Sequence, residues 1–120
     1  MKKLLITLLL ISPFSFGDWG DVYYCQENSR SSTTATGKLT SMLTGKFQFK
    51  LDKDKRAMVY GSKGRFTDET FRLTKHDLSQ ETWDARDDFN SMVVFSNGRH
   101  MRTFTSTFGT ESSTADCEKF

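Results

Sequence analysis

The residues with the most distinctive chemistry in this 120-residue chain are Cys25 and Cys117, His76 and His100, and the run Asp84-x-x-Asp87-Asp88-x-Asn90. A catalytic histidine needs an orienting partner and a nucleophile within hydrogen-bond reach. His76 precedes Asp77 in an expected loop, and His100 falls on a hairpin arm opposite Phe95. Neither spacing supplies a nucleophile, so both read as solvated strand or loop residues and the chain reads as non-enzymatic. The acidic run has oxygens suited to calcium, but lacks the regular alternation and distal bidentate Glu of an EF-hand loop. It reads as a polar turn, and no metal or other cofactor is expected. Gly61-x-x-Gly64 is followed by no helix whose N-terminus would hold a phosphate. Lysines and phenylalanines interleave in Lys46-Phe47-Gln48-Phe49-Lys50, as on single-strand nucleic-acid platforms. Simple alternation accounts for that pattern, with rings inward and lysines in water, so no nucleic-acid partner is expected.

The cysteines gain meaning from the start of the chain. Lys2 and Lys3 precede an apolar run, Leu4 to Ile11, broken by Pro13 and followed by Ser15-Phe16-Gly17. This is the pattern of an export signal over residues 1–17, cut before Asp18. The apolar run is about half of the ~20 residues needed to cross a bilayer, so no stable membrane insertion is expected once the signal is gone. The mature product, residues 18–120, then works in a periplasm or outside the cell, where thiols oxidise. Only one intramolecular pairing is open to two cysteines, Cys25 with Cys117; a free pair or an intermolecular bridge are the alternatives. The intramolecular bridge closes nearly the whole mature chain. The chain-entropy argument gives such a closure roughly 4–5 kcal/mol, a large share of the ~5–15 kcal/mol of an ordinary domain.

The elements that position these residues are strands throughout. Val22 to Gln26 is β-branched and aromatic. Arg30 to Thr36 is polar enough for an edge strand or a mobile loop, and Lys38 to Leu43 makes a further short strand. Phe47-Gln48-Phe49-Lys50-Leu51 alternates, then turns through Asp52–Lys55 into Arg56–Tyr60. Arg65–Thr67 and Thr70–Thr74 read as a second hairpin, and Lys75–Gln80 as a loop or single helical turn. Glu81–Arg86 places Trp83 and Ala85 on one face. Met92–Phe95 reads as a central strand, and Asn97-Gly98 is a type I′ hairpin signal. Arg99–Thr105 and Ser112–Glu118 complete the series. About eight strands joined by short turns form an antiparallel meander. Pinning its first strand to its last removes the exposed edges and gives a small closed or nearly closed barrel, with a two-sheet sandwich as runner-up.

Without Lys2 and Lys3 the chain carries 15 basic and 15 acidic residues, so the balance itself indicates no polyanionic partner. The distribution is uneven. Residues 46–65 hold seven basic residues against two acidic, and residues 66–90 hold seven acidic against three basic. These are either solvated faces of neighbouring strands or a bipolar surface that steers a charged partner.

Two resemblances add to this reading. Asp18–Gln26, Lys46–Asp52, Ala57–Ser62 and Ala115–Phe120 resemble segments of short exported proteins of marine bacterial and phage genomes, a group that imports no activity. Tyr23-Tyr24-Cys25 and Ser62-Lys63-Gly64-Arg65-Phe66 are similar in outline to periplasmic inhibitors of c-type lysozyme. Those are small exported β-barrels with an early Tyr-x-Cys strand and an inhibitory Ser-x-Gly loop before an aromatic; their later tryptophan-rich segment has no clear counterpart here. The second resemblance implies that Ser62, Lys63, Gly64 and Arg65 form an interaction loop. The function expected is therefore binding of a small molecule or protein, with inhibition of a cell-wall hydrolase and a small extracytoplasmic or metal-dependent hydrolase as alternatives.

Overall fold

A computed structural model describes residues 17–120; the export signal expected over residues 1–17 lies, except for Gly17, outside the described residues. Nine strands follow in chain order: β1 (Val22–Thr34), β2 (Leu39–Ser41), β3 (Lys46–Asp52), β4 (Ala57–Tyr60), β5 (Thr70–Asp77), β6 (Thr82–Arg86), β7 (Ser91–Ser96), β8 (Arg99–Ser106) and β9 (Gly109–Lys119). A 3₁₀ turn, Leu78–Gln80, joins β5 to β6. Every pairing is antiparallel, and β1 pairs with both β3 and β9. Eight strands therefore close into a barrel, and the three-residue β2 attaches to the outer half of β1 as a ninth. The meander is a closed barrel and not a sandwich.

Closure rests on the β1–β9 ladder, which runs from Tyr23–Lys119 to Thr34–Gly109. Cys25 lies directly opposite Cys117, and the two form a disulfide with their Cα atoms 4.0 Å apart. β1 is one strand of 13 residues where the sequence suggested an early strand followed by a separate edge or loop. The Ser/Thr-rich half, polar as it is, is held by β9 on one side and β2 on the other. A bulge between Glu27 and Ser29 changes the phase of β1. Before it, Tyr23, Cys25 and Glu27 point inward; after it, Arg30 does, opposite the buried Ser113.

The interior is filled. Phe47, Phe49 and Leu51 of β3 point inward as the alternation requires, and meet Met58, Tyr60, Phe71, Trp83, Val93 and Phe95. Trp83 stacks on Phe95 with ring centroids 4.3 Å apart, and Tyr23 on Phe49 at 5.0 Å. The Asn97-Gly98 turn has positive φ at both residues, 47° and 87°, as a type I′ hairpin demands.

Three local expectations are corrected. Arg65–Thr67 is no strand; it belongs to a looped segment, residues 61–69, between β4 and β5. β5 runs on to Asp77, so Lys75 and His76 are strand residues, exposed on its surface. His100 is not solvated: it is fully buried, because its register opposite Phe95 and Ala115 puts it on the core face.

Candidate binding loop at the barrel mouth

Gly64 sets the shape of the 61–69 loop. Its φ is +85°, and a Cβ there would stand 2.2 Å from the carbonyl oxygen of Lys46, so only glycine fits. The adjacent Arg65 amide donates to that same Lys46 oxygen at 3.0 Å. Across the neck of the loop, Asp68 N donates to Gly61 O at 2.9 Å and Tyr60 N to Glu69 O at 2.9 Å. The Thr67 hydroxyl donates to Gly64 O at 2.7 Å. The loop is thus bonded both to itself and to the start of β3.

Phe66 is its anchor. Phe66 and Asp68 both adopt left-handed backbone, φ 61° and 57°, a strain of order 1–3 kcal/mol per residue. Burial of the Phe66 ring, 5% exposed, offsets that strain. The ring plugs the mouth of the barrel, edge-on to Phe47 at 5.0 Å and to Tyr60 at 5.6 Å. Arg65 and Arg102 cover it, with guanidinium carbons 4.6 Å and 4.4 Å from the ring centroid.

Those arginines belong to a balanced ionic chain. Arg65 lies 3.5 Å from Glu27 and 3.6 Å from Glu111; Arg30 meets Glu111 at 2.7 Å; Arg102 lies 3.7 Å from Glu69. Only the Arg30 contact is also a hydrogen bond. Glu27 Oε1 instead accepts the Gly45 amide at 2.8 Å, which ties the 42–45 segment to the same network. Three arginines face three glutamates, so the base of the loop is neutral.

Ser62, Lys63 and Gly64 stand exposed at the tip, and Lys63 makes no ion pair among the described residues. Arg65 is turned back, three-quarters buried, as an anchor of the loop. The structure therefore divides the four residues singled out from the sequence into a presented triplet and a support. Glu27, Phe66, Glu69 and Arg102 were not singled out. Glu27 carried a visible signal, since it continues the inward alternation of Tyr23 and Cys25.

The histidines sit apart from this tip. His100 Nε2 and the Tyr60 hydroxyl are 2.7 Å apart in the core. Burial first, and the nearby Arg102 charge second, hold the His100 pKa down at about 3, so the ring is neutral at ordinary pH. Burial also pushes the Tyr60 phenol well above its usual value. Sealed from solvent, His100 has no route to a substrate. His76 packs edge-on against Trp19 at 5.8 Å on the barrel's outside.

The acidic run serves its own turn. Asp87 Oδ1 accepts the amides of Phe89 and Ser91 at 2.9 Å and 3.1 Å, and Asp88 meets Arg72 at 3.1 Å. Among the described residues no group of three or more His, Cys, Asp or Glu side chains is arranged to hold a metal, and no helix is long and apolar enough to cross a membrane. Comparison with protein-family models, with curated proteins and with solved structures finds no match to this chain.

Proposed function

We propose that the protein is a non-enzymatic binding protein of the periplasm or extracellular space, and that the 61–69 loop is its contact element. The signal-like start and the disulfide support the compartment. A core filled with stacked rings supports contact through the outer surface instead of an internal ligand cavity. The observation that carries the reading is the loop itself: an exposed Ser62-Lys63-Gly64 tip, fixed by a plugged aromatic and a neutral ionic base. Such preorganisation lowers the ordering cost of association.

The partner that fits best is a cell-wall hydrolase of the lysozyme type. Its cleft carries a pair of carboxylates, and a rigid loop led by one uncompensated lysine and a hydroxyl complements them. A Ser-x-Gly loop before an aromatic, carried on a small β-barrel, is also what the resemblance to lysozyme inhibitors implies. The test is lysis of a cell-wall suspension by c-type lysozyme. Near-stoichiometric inhibition by the wild-type protein is expected, with Lys63→Glu at least ten-fold weaker. Full lytic activity in the presence of excess protein ends the hydrolase reading.

A further inference from the structure

Among the described residues β2 is bonded to β1 on one side and to no strand on the other, so an open sheet edge stands beside the closed barrel. Two hydrogen bonds fix its phase: Thr34 N donates to Lys38 O at 2.9 Å, and Met42 N to Arg30 O at 2.8 Å. Even-numbered residues therefore bond β1, and the amides and carbonyls of Leu39 and Ser41 point away from it. The edge ends where Arg65 reaches over the chain, since a Cβ at Gly45 would stand 3.0 Å from the Arg65 Cγ.

Proteins usually blunt such an edge with charge, proline or a covering segment. Here residues 31–45 hold a single charge, Lys38, and no proline, in a chain that is 27% charged. Residues 34–44 are exposed throughout, with Leu39 68% and Leu43 88% exposed. From this edge we infer that β2 pairs with β2 of a second copy of the chain, antiparallel about a two-fold axis at Ser41. Leu39-Thr40-Ser41-Met42-Leu43 carries a leucine two residues to either side of that centre. In this register Ser41 meets Ser41, and each Leu39 lies against Leu43 of the other copy. Lys38 falls opposite Thr44, so no like charges meet. An unrelated strand would satisfy the backbone equally, but only a second copy matches the leucine spacing twice, as a self-complementary contact requires. Five residues a side make a contact smaller than the ~1,200–2,000 Å² of a standard interface, so the dimer exchanges with monomer. It forms with or without a hydrolase present.

Sedimentation velocity of the oxidised protein from about 5 to about 200 µM is the test. The dimer fraction is expected to rise with concentration. It should change little between 50 and 300 mM salt, because backbone bonds and leucines hold the pair. Ser41→Lys sets two like charges face to face on the axis and should stay monomeric throughout, with unchanged β-type circular dichroism. Phe120→Ala trims an exposed ring at the opposite end of β1 and should dimerise as wild type does. Ser41→Cys should cross-link to itself under mild oxidation at least ten-fold faster than Thr36→Cys, whose two copies stand about 30 Å apart in this register. A wild-type monomer at about 200 µM overturns the pairing, as does a dimer that survives Ser41→Lys. If wild type is monomeric and lysozyme slows hydrogen exchange at residues 39–43, the edge is a hydrolase contact and the second copy is overturned.

Discussion

Replacing His100 by Gln should flatten the acid limb of the stability curve. The imidazole is buried with its Nε2 against the Tyr60 hydroxyl, and its pKa is held down at about 3. In the unfolded chain the same ring titrates near ~6.5. Between those values the unfolded chain binds a proton that the native state refuses. Native stability is therefore unaffected by this group above about pH 6.5 and falls as pH drops below it, by about 1.4 kcal/mol per unit, until the native pKa is reached. From pH 7 to pH 4.5 the loss from this one ring is about 2.5 kcal/mol. At a urea slope of roughly 1 kcal/mol/M, that moves the midpoint by about 2.5 M. Gln keeps a polar group facing Tyr60 without titrating. His100→Gln is expected to be less stable at pH 7 but to lose about 2.5 kcal/mol less between pH 7 and 4.5 than wild type. Carboxylates contribute acid sensitivity to both proteins and cancel in the difference. Urea titrations followed by tryptophan fluorescence at four pH values measure it. Parallel pH profiles for the two proteins would refute the burial argument.

Reduction of the Cys25–Cys117 bridge releases a closure spanning 92 residues, and should lower stability by roughly 4–5 kcal/mol in urea titrations with and without reductant. Phe66→Ala removes the mouth plug and should cost about 3 kcal/mol or more, with new protease cleavage within residues 61–69 detected by mass spectrometry. Gly64→Ala drives a Cβ into the Lys46 carbonyl; it should displace the loop tip and abolish lysozyme binding while leaving the far-ultraviolet circular dichroism β-type. Gly109→Ala meets the Thr33 carbonyl at 2.1 Å at the far end of the closing ladder, and should lower the thermal midpoint by several degrees in calorimetry.

The barrel was legible in the sequence because its signals are local and repeated. Phe47-Gln48-Phe49-Lys50-Leu51 declares a face, Asn97-Gly98 declares a hairpin, and one cysteine in the first strand with one in the last declares closure. What was not legible depends on non-local partners. The outer half of β1 is too polar to announce a strand, and is one only because β9 and β2 bond it on both sides. His100 reads as a surface residue until the barrel brings Tyr60 to it across 40 residues of chain. Arg65-Phe66-Thr67 looks like a strand by composition, yet Gly64 and two left-handed residues turn it into a plug. At the candidate site, Ser62, Lys63 and Gly64 were found by likeness of motif. Their supports Glu27, Arg30, Arg102 and Glu111 come from three other stretches of sequence, and converge with Glu69 of the loop itself only on folding.

Hydrogen exchange of the protein mixed with c-type lysozyme is the most direct measurement of whether the barrel mouth is the binding face. Slowed exchange is expected in peptides spanning residues 61–69, with the turns at residues 53–56 and 97–98 on the opposite rim unchanged. Protection at those opposite turns, or no protection anywhere at saturating lysozyme, would contradict it.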